Sequence, residues 1–274
     1  MVCADDFGRD GAVNAAVEQA HRDGILTAAS LMVAAPAAAD AVARAQRLPG
    51  LGVGLHLVLA DGAPILPPSA VPALVGPDGR FDPNMVRAGF RFFFSPAAQR
   101  QLAAEIRAQF AAFAATGLPL DHVNGHKHIH VHPTVARLVI GIGREFGLRA
   151  MRLPYEPPAP LRLAAPADRH RGIGWSPVAA ALRRRLGRAA IAHNDQVFGI
   201  AWSGAITEDR LLALLPHLPD GVSEIYAHPA CGAASFVPGY RHAAELAALL
   251  SPRVRQQTAA LGLRLVRYAD LPPR

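Results

Sequence analysis

The sequence predicts a single α/β domain. Apolar runs of strand length alternate with stretches of helical period along the whole chain, the pattern of strands joined by crossover helices. Neither a second composition regime nor an internal repeat interrupts that alternation, and 274 residues with 51% hydrophobic content supply one large core. The expectation is therefore one domain of about seven strands, a size at which barrels of roughly 250 residues are common.

In order, Met1-Val2-Cys3 is a short apolar opening before Ala4-Asp5-Asp6-Phe7-Gly8, and Val13 to Arg22 has helical period. Ile25 to Val33 reads as an apolar strand. Ala37 to Leu48 is helical and stops before Pro49-Gly50, and Leu51 to Leu59 is a buried strand interrupted by His56. Residues 60–95 are rich in Gly, Pro and Asp, and so long an excursion inside a compact domain is usually functional. It contains Gly89-Phe90-Arg91-Phe92-Phe93-Phe94, either a buried plug or an apolar wall for a lipid. Ser95-Pro96 opens a helix whose Leu102, Ile106, Phe110 and Phe113 share one face. A histidine-bearing strand follows, then a helix from Thr134 to Phe146, a strand from Met151 that ends at Pro154, a Pro-rich loop over 154–170 and an Arg-rich helix over 176–190. Val197 to Trp202 is a strand, Leu211 to Leu218 a helix, and Ser223 to Ala227 a strand closed by His228-Pro229. A helix from Arg241 to Leu261 and a strand from Leu263 to Val266 end the pattern.

The net charge of +7 does not imply a nucleic-acid partner. Of 28 basic residues only Lys127 is lysine, so arginine usage is general rather than a selected patch. The densest run, Arg183-Arg184-Arg185-Leu186-Gly187-Arg188, reads as a solvated helix face or as a contact for an anionic surface. Cys3 and Cys231 make no disulfide framework, which favours a reducing, cytoplasmic compartment. No apolar stretch approaches the ~18 residues of a membrane span, and no charged segment followed by an apolar one opens the chain.

Chemistry is concentrated in Asp121-His122-Val123-Asn124-Gly125-His126-Lys127-His128-Ile129-His130-Val131-His132-Pro133, which holds five of the twelve histidines. All five stand at even positions, so an extended backbone would turn them to one face, a pattern suited to a divalent ion. A solvated polar strand end is the plainer alternative. In Asp5-Asp6 one carboxylate could ligate an ion while the other serves as base for a water, provided the backbone bends near Gly8; an N-cap pair at a loop is the alternative. His56, alone in an apolar run, is ordinarily a hydrogen-bonded core residue and becomes a ligand candidate only beside the other motifs. Pro229 ends strand pairing and leaves His228 at a strand terminus, where α/β folds place their chemistry.

Taken together, ADDFG (residues 4–8), GLHL (54–57), GHKHIH (125–130) and a late strand ending in His-Pro resemble the YdjC-like carbohydrate deacetylases over essentially the whole chain. Residues 26–45, 54–68, 121–133 and 197–204 are similar to the hopanoid-biosynthesis-associated branch of that family. The resemblance implies a distorted (β/α) barrel, one divalent metal ion, and hydrolysis of the N-acetyl group of an amino sugar carried on a hopanoid lipid. Asp5 would be the general base, Asp6, His56 and His126 the metal ligands, and His228 the acid that protonates the departing amine. Arg152 would hold Asp5 or a sugar hydroxyl, with a surface ion pair to Glu156 as the duller option. We group it with His128 and His130 as substrate-binding, although either histidine could instead orient a ligand through its second nitrogen.

This ligand set suits zinc, or magnesium completed by waters, and other divalent ions as well. The expected partners are a lipid-linked amino sugar, a peripheral contact at the inner face of the membrane and a second copy of the chain in a homo-oligomer, with no nucleic acid. A soluble N-acetylated oligosaccharide of the chitin type is the alternative substrate, and a non-catalytic metal- or lipid-binding protein the alternative class. The chain departs from the family at Ala230, where many relatives carry Gly. It also has only three residues before ADDFG, so the first strand is expected to be truncated and a poor seed for a barrel wall.

Overall fold

The computed structural model describes residues 1–168, 177–232 and 237–272. In chain order the elements are β1 (Val2–Phe7), α1 (Gly11–Asp23), β2 (Ala28–Leu31), α2 (Ala38–Ala45), β3 (Gly52–Leu57), α3 (Met85–Phe94), α4 (Pro96–Ala115), β4 (Val123–Gly125), α5 (Pro133–Gly143), α6 (Pro158–Ala164), α7 (Pro177–Arg188), β5 (Gln196–Phe198), α8 (Glu208–Leu214), β6 (Ser223–Ala227), α9 (His242–Leu250) and α10 (Pro252–Ala260). Six parallel strands form one curled sheet in the order β4-β3-β2-β1-β6-β5.

The two edges of the sheet are joined by residues 150–155. Val123 and Ala192 form bridges with Met151 and Ala150 respectively. The Val197 N–H donates to the Tyr155 carbonyl at 2.8 Å. Pro154 has no N–H to give a ladder, and the Asn194 side chain completes the pairing instead, accepting from Leu153 N–H and donating to its carbonyl. This segment is the expected Met151 strand, present as isolated bridges rather than as a regular strand.

Four local expectations are corrected. The first strand is not three residues but six, because Ala4-Asp5-Asp6-Phe7 continue it to the middle of the sheet. The predicted helix 241–261 is two helices: Pro252 cannot continue a helix that Ser251 ends, and Ser251 caps the next one through Val254 N–H. Leu263–Val266 forms no strand, since β1 and β6 already have two neighbours each and the remaining edges meet at residues 150–155; Val266 packs under the sheet with Met1, Ala150 and Tyr268. The loop at 154–170 contains α6, and its residues 169–170 lie outside the described ones.

The excursion after β3 is pegged from α4. Buried Gln109 bonds both the N–H and the carbonyl of Val58, and buried Glu105 accepts from Ile65 and Leu66. At the far end of the excursion, α3 buries Phe92 but exposes Phe90, Phe93 and Phe94, so the aromatic run is partly plug and partly surface.

Gly52, Gly54 and His56 share the inner face of β3, and the two glycines leave room for side chains from the β4 side. A Cβ on Gly54 would stand 2.5 Å from the His122 ring, and one on Gly52 2.7 Å from the Asp121 carboxyl. Gly54→Ala is expected to overpack this interior and cost about 1–3 kcal/mol, measured as a shift in urea midpoint; an unchanged midpoint would show that the His122 ring can move away freely.

Candidate active site

The candidate residues lie at the C-terminal ends of the strands, around a cavity of about 460 Å³ lined by Asp5, Asp6, His56, His126, His128, Tyr226, His228 and Tyr240, among others. Two consecutive carboxylates reach it because β1 bends at its end. Asp6 has φ 64°, a left-handed conformation uncommon for a residue with a side chain, and the pairing register of β1 shifts between Ala4 and Phe7. The bend foreseen at Gly8 (φ 91°) is there, but Asp6 itself supplies the first turn.

Asp6, His56 and His126 converge. Asp6 Oδ1 is 3.3 Å from His56 Nε2 and 3.1 Å from His126 Nδ1, and the two nitrogens are 3.4 Å apart. All three residues are buried. Asp6 also accepts from Arg9 at 3.1 Å. Burial would raise the Asp6 pKa, but hydrogen bonds from His126 and His56 reverse this and hold it well below the usual carboxylate range.

Asp5 stands beside this group without joining it. Arg152 grips it with two bonds, Nη1 to Oδ2 at 2.6 Å and Nη2 to Oδ1 at 3.0 Å, and Asn124 Nδ2 donates to Oδ1 at 3.0 Å. Burial again pushes the carboxyl up, and the Arg152 guanidinium and His56 outweigh it, so Asp5 is ionised throughout the physiological range.

Of the contacts expected for Arg152, the structure has the one to Asp5. Arg152 is fully buried, and its remaining bonds go to Glu224 at 3.0 and 2.7 Å. Its guanidinium also lies 4.7 Å above the Tyr226 ring. It therefore holds Asp5 and has no face left for a sugar, nor does it pair with Glu156, which instead accepts from Gly199, Ile200 and Ala201 N–H.

The histidine run is not one extended face. β4 ends at Gly125, the next residues form a 3₁₀ turn, and Lys127 and His128 take φ 52° and 54°. Of the five histidines only His126 meets the ligand group. His128 lines the cavity and contacts the Tyr226 hydroxyl at 3.2 Å. His130 is corrected as a substrate contact: it is wholly buried, with Nε2 on the Arg152 carbonyl at 3.1 Å, and burial followed by the Arg152 charge pushes its pKa down to about 3. His122 points into the barrel, and His132 lies against Phe92 and Phe93.

His228 follows β6 and lines the cavity between the Tyr226 and Tyr240 rings, with centroids at 5.6 and 5.0 Å. Its N–H donates to buried Glu245 at 2.6 Å, which fixes the backbone there. Sequence reasoning missed Asn124, Glu224, Tyr226 and Glu245. Asn124 was legible as the polar residue inside the histidine run; the other three occupy a strand and a helix whose polar members resemble ordinary surface residues.

A model of the YdjC-like protein family matches residues 1–260. The chain belongs to the YdjC-like family. A carbohydrate deacetylase of Geobacillus stearothermophilus is 30% identical over 98% of this chain and 96% of its own length. One from Thermoanaerobacter pseudethanolicus is 27% identical over 84% and 80%. One from Brevibacillus brevis reaches 40% identity over 146 residues, 53% of this chain and 56% of that protein. A crystallised Enterococcus faecalis protein described as a cellobiose-phosphate cleavage protein has a TM-score of 0.77 at 23% identity, covering 99% of this chain and 98% of its own, which shows the shared fold.

Two predictions follow from the buried charges. Arg152→Met leaves Asp5 and Glu224 as uncompensated buried carboxylates and is expected to cost about 3–5 kcal/mol, read by chemical denaturation. The depressed Asp5 and Asp6 pKa values contribute stability that is complete above the unfolded carboxylate value near pH 4 and is lost as pH falls toward their folded values. Denaturation midpoints should therefore drop steeply below about pH 4, and a flat profile there would contradict the pairing.

Proposed function

We propose that this chain is a metal-dependent carbohydrate N-deacetylase. The carrying observation is the convergence of Asp6, His56 and His126 beside a separate, ionised Asp5 in one cavity. Donor chemistry fits a divalent ion: ligands that share one at about 2.0–2.2 Å stand roughly 3 Å apart, and these stand 3.1–3.4 Å apart. The family's carbohydrate deacetylases in Geobacillus and Thermoanaerobacter support the same reading.

A divalent ion bound there would polarise the acetyl carbonyl and acidify the attacking water. Asp5 takes the proton from that water as its oxygen attacks the amide carbon. Its low pKa makes it a weak base that depends on an acidified water, while Arg152 and Asn124 keep it aimed. His228 gives a proton to the amide nitrogen as the C–N bond breaks, releasing acetate and the free amine. Its Nδ1 is buried and has no hydrogen-bond partner among the described residues, which leaves the imidazole oriented by ring packing and its backbone.

For substrate we favour N-acetylglucosaminyl hopanoid, or an amino sugar on a comparable lipid, met at the inner face of the membrane. Phe90, Phe93 and Phe94 are exposed on α3, and Arg183, Arg184 and Arg188 are exposed on α7. Both helices pack against α5, so apolar and basic surface flank one element, which suits an anionic bilayer. Among the described residues no helix is long and apolar enough to cross a membrane.

Asp5→Asn is expected to lower acetate release by about 10²–10⁴ while the ion stays bound, and His56→Ala to lose both metal and turnover; metal analysis of the purified proteins reads the difference. Intact metal and turnover in His56→Ala would remove the ligand assignment. On substrate, turnover of chitobiose is compared with that of the glucosaminyl lipid in detergent. Preference for the lipid should fall in Phe90→Ser/Phe93→Ser, whereas chitobiose turned over equally well and unaffected by those changes would remove the lipid reading and leave deacetylation standing.

A further inference from the structure

Below the site, the barrel interior holds a line of buried polar groups, of which only the last, Asn124, touches the residues of the proposed reaction. The Asp121 carboxylate lies 2.9 Å from His122 Nδ1, His122 Nε2 lies 3.0 Å from Ser30 Oγ, and Asn124 Nδ2 donates to Ser30 Oγ at 2.8 Å. Asn124 then reaches Asp5 with the same nitrogen at 3.0 Å and His56 Nδ1 with its oxygen at 2.7 Å. Asp121, His122, Ser30 and Asn124 are all buried, three of them completely. Asp121 and His122 stand in the space that Gly52 and Gly54 leave empty. The Asp121–His122–Ser30 geometry is that of a nucleophilic triad, but no substrate can reach it.

We infer that Asp121, His122 and Ser30 are positioning residues that, through Asn124, fix His56 as the tautomer with its free lone pair on Nε2, toward Asp6 and His126. The inference rests on the proposed metal centre and deepens it.

Donor and acceptor capacity decides each link of the line. At the lower end, ionised Asp121 can only accept, and its other oxygen already accepts from Ala269 N–H at 2.9 Å. His122 must therefore carry its proton on Nδ1, which leaves Nε2 to accept from the Ser30 hydroxyl. Ser30 has then used its only proton, so its oxygen accepts from Asn124. At the upper end, Asp5 is also acceptor-only, and it too demands the amide nitrogen of Asn124. Both ends thus select the same amide orientation, with the Asn124 oxygen toward His56. That oxygen needs a donor, so His56 keeps a proton on Nδ1; the bond from Nε2 to Asp6 at 3.3 Å belongs to the doubly protonated ring, and once that proton leaves, Nε2 is bare. A second contact does not compete: the Cys3 thiol, held protonated mainly by burial, lies 3.3 Å from Ser30 Oγ and can donate to it.

An amide free to flip would place its nitrogen against His56 and favour the wrong tautomer. Partners that orient a metal-bound histidine typically contribute about 10–100-fold in metal affinity, and a chain pinned by carboxylates at both ends extends that effect to residues far from the ion.

Long-range ¹H–¹⁵N correlation spectra of the metal-free wild-type protein, recorded in alkaline buffer where His56 carries a single proton, read its tautomer directly; that proton is expected on Nδ1, and finding it on Nε2 would overturn the inference. Zinc affinity by chelator competition is then measured on wild type, Ser30→Ala and Ser30→Thr. Ser30→Ala should bind zinc about 10-fold or more weakly, and Ser30→Thr, which keeps the hydroxyl, should bind as wild type does. If Ser30→Ala melts at a lower temperature but keeps wild-type zinc affinity, the residues are only structural. None of these readouts uses turnover. A protein that binds zinc and shows the expected tautomer but releases no acetate would remove the proposed reaction and leave this inference intact, and a wild type without zinc affinity would still be decided by the tautomer.

Discussion

The guanidinium of Arg152, sealed in the barrel between Asp5 and Glu224, is the interaction on which the rest of the site depends. It is fully buried and bonded to both carboxylates. Bidentate Arg–carboxylate pairs are among the strongest hydrogen-bonded contacts, but burying the charges is costly. The cost is offset only while every partner is in place. Tyr268 donates to Glu224 Oε2 at 2.6 Å and Tyr226 lies beneath the guanidinium, so the ion cluster is closed from several sides. Asp5 is thereby held still and ionised next to the Asp6, His56 and His126 group, and the two carboxylates keep separate partners although they are adjacent in sequence.

Much of this was legible in the sequence wherever one residue type can do a job in only one way. His56 in an apolar strand, the Asp5-Asp6 pair and His228 before a proline all appear at strand ends around one cavity. The reading failed where a local backbone choice decides the outcome. An even spacing of five histidines suggests one face only if the chain stays extended, and two successive left-handed residues after Gly125 end that extension and scatter the rings. For Arg152 the contact to Asp5 was one of two readings and a sugar hydroxyl the other, because burial of an arginine cannot be foreseen without its partners, and Glu224 sits 72 residues away. Asn124 has the opposite character: its role depends on its three partners, Asp5, Ser30 and His56, whose convergence the amino-acid string does not show.

The same contrast holds for the fold. Strand and helix alternation identified the layers, since hydrophobic period reports directly on burial. Boundaries moved where a proline or an occupied sheet edge intervened, as at Ser251-Pro252 and at Leu263–Val266. The glycines of β3 are informative in retrospect. At Gly52 and Gly54 the strand gives up side chains so that polar groups from the next strand fill the barrel interior.

The two pegs at the base of the excursion have a consequence for how this architecture can change. Glu105 and Gln109 hold Val58, Ile65 and Leu66 through backbone groups alone, so they impose no side-chain identity on the segment they secure. Beyond Leu66 a third α4 side chain, Gln101, accepts from Ala73 N–H at 2.7 Å, and Val71, Leu74 and Phe81 are buried in the core. Of residues 58–95 only Asp61 lines the cavity, so the segment is a lodger beside the site, tied to the house at its doorway.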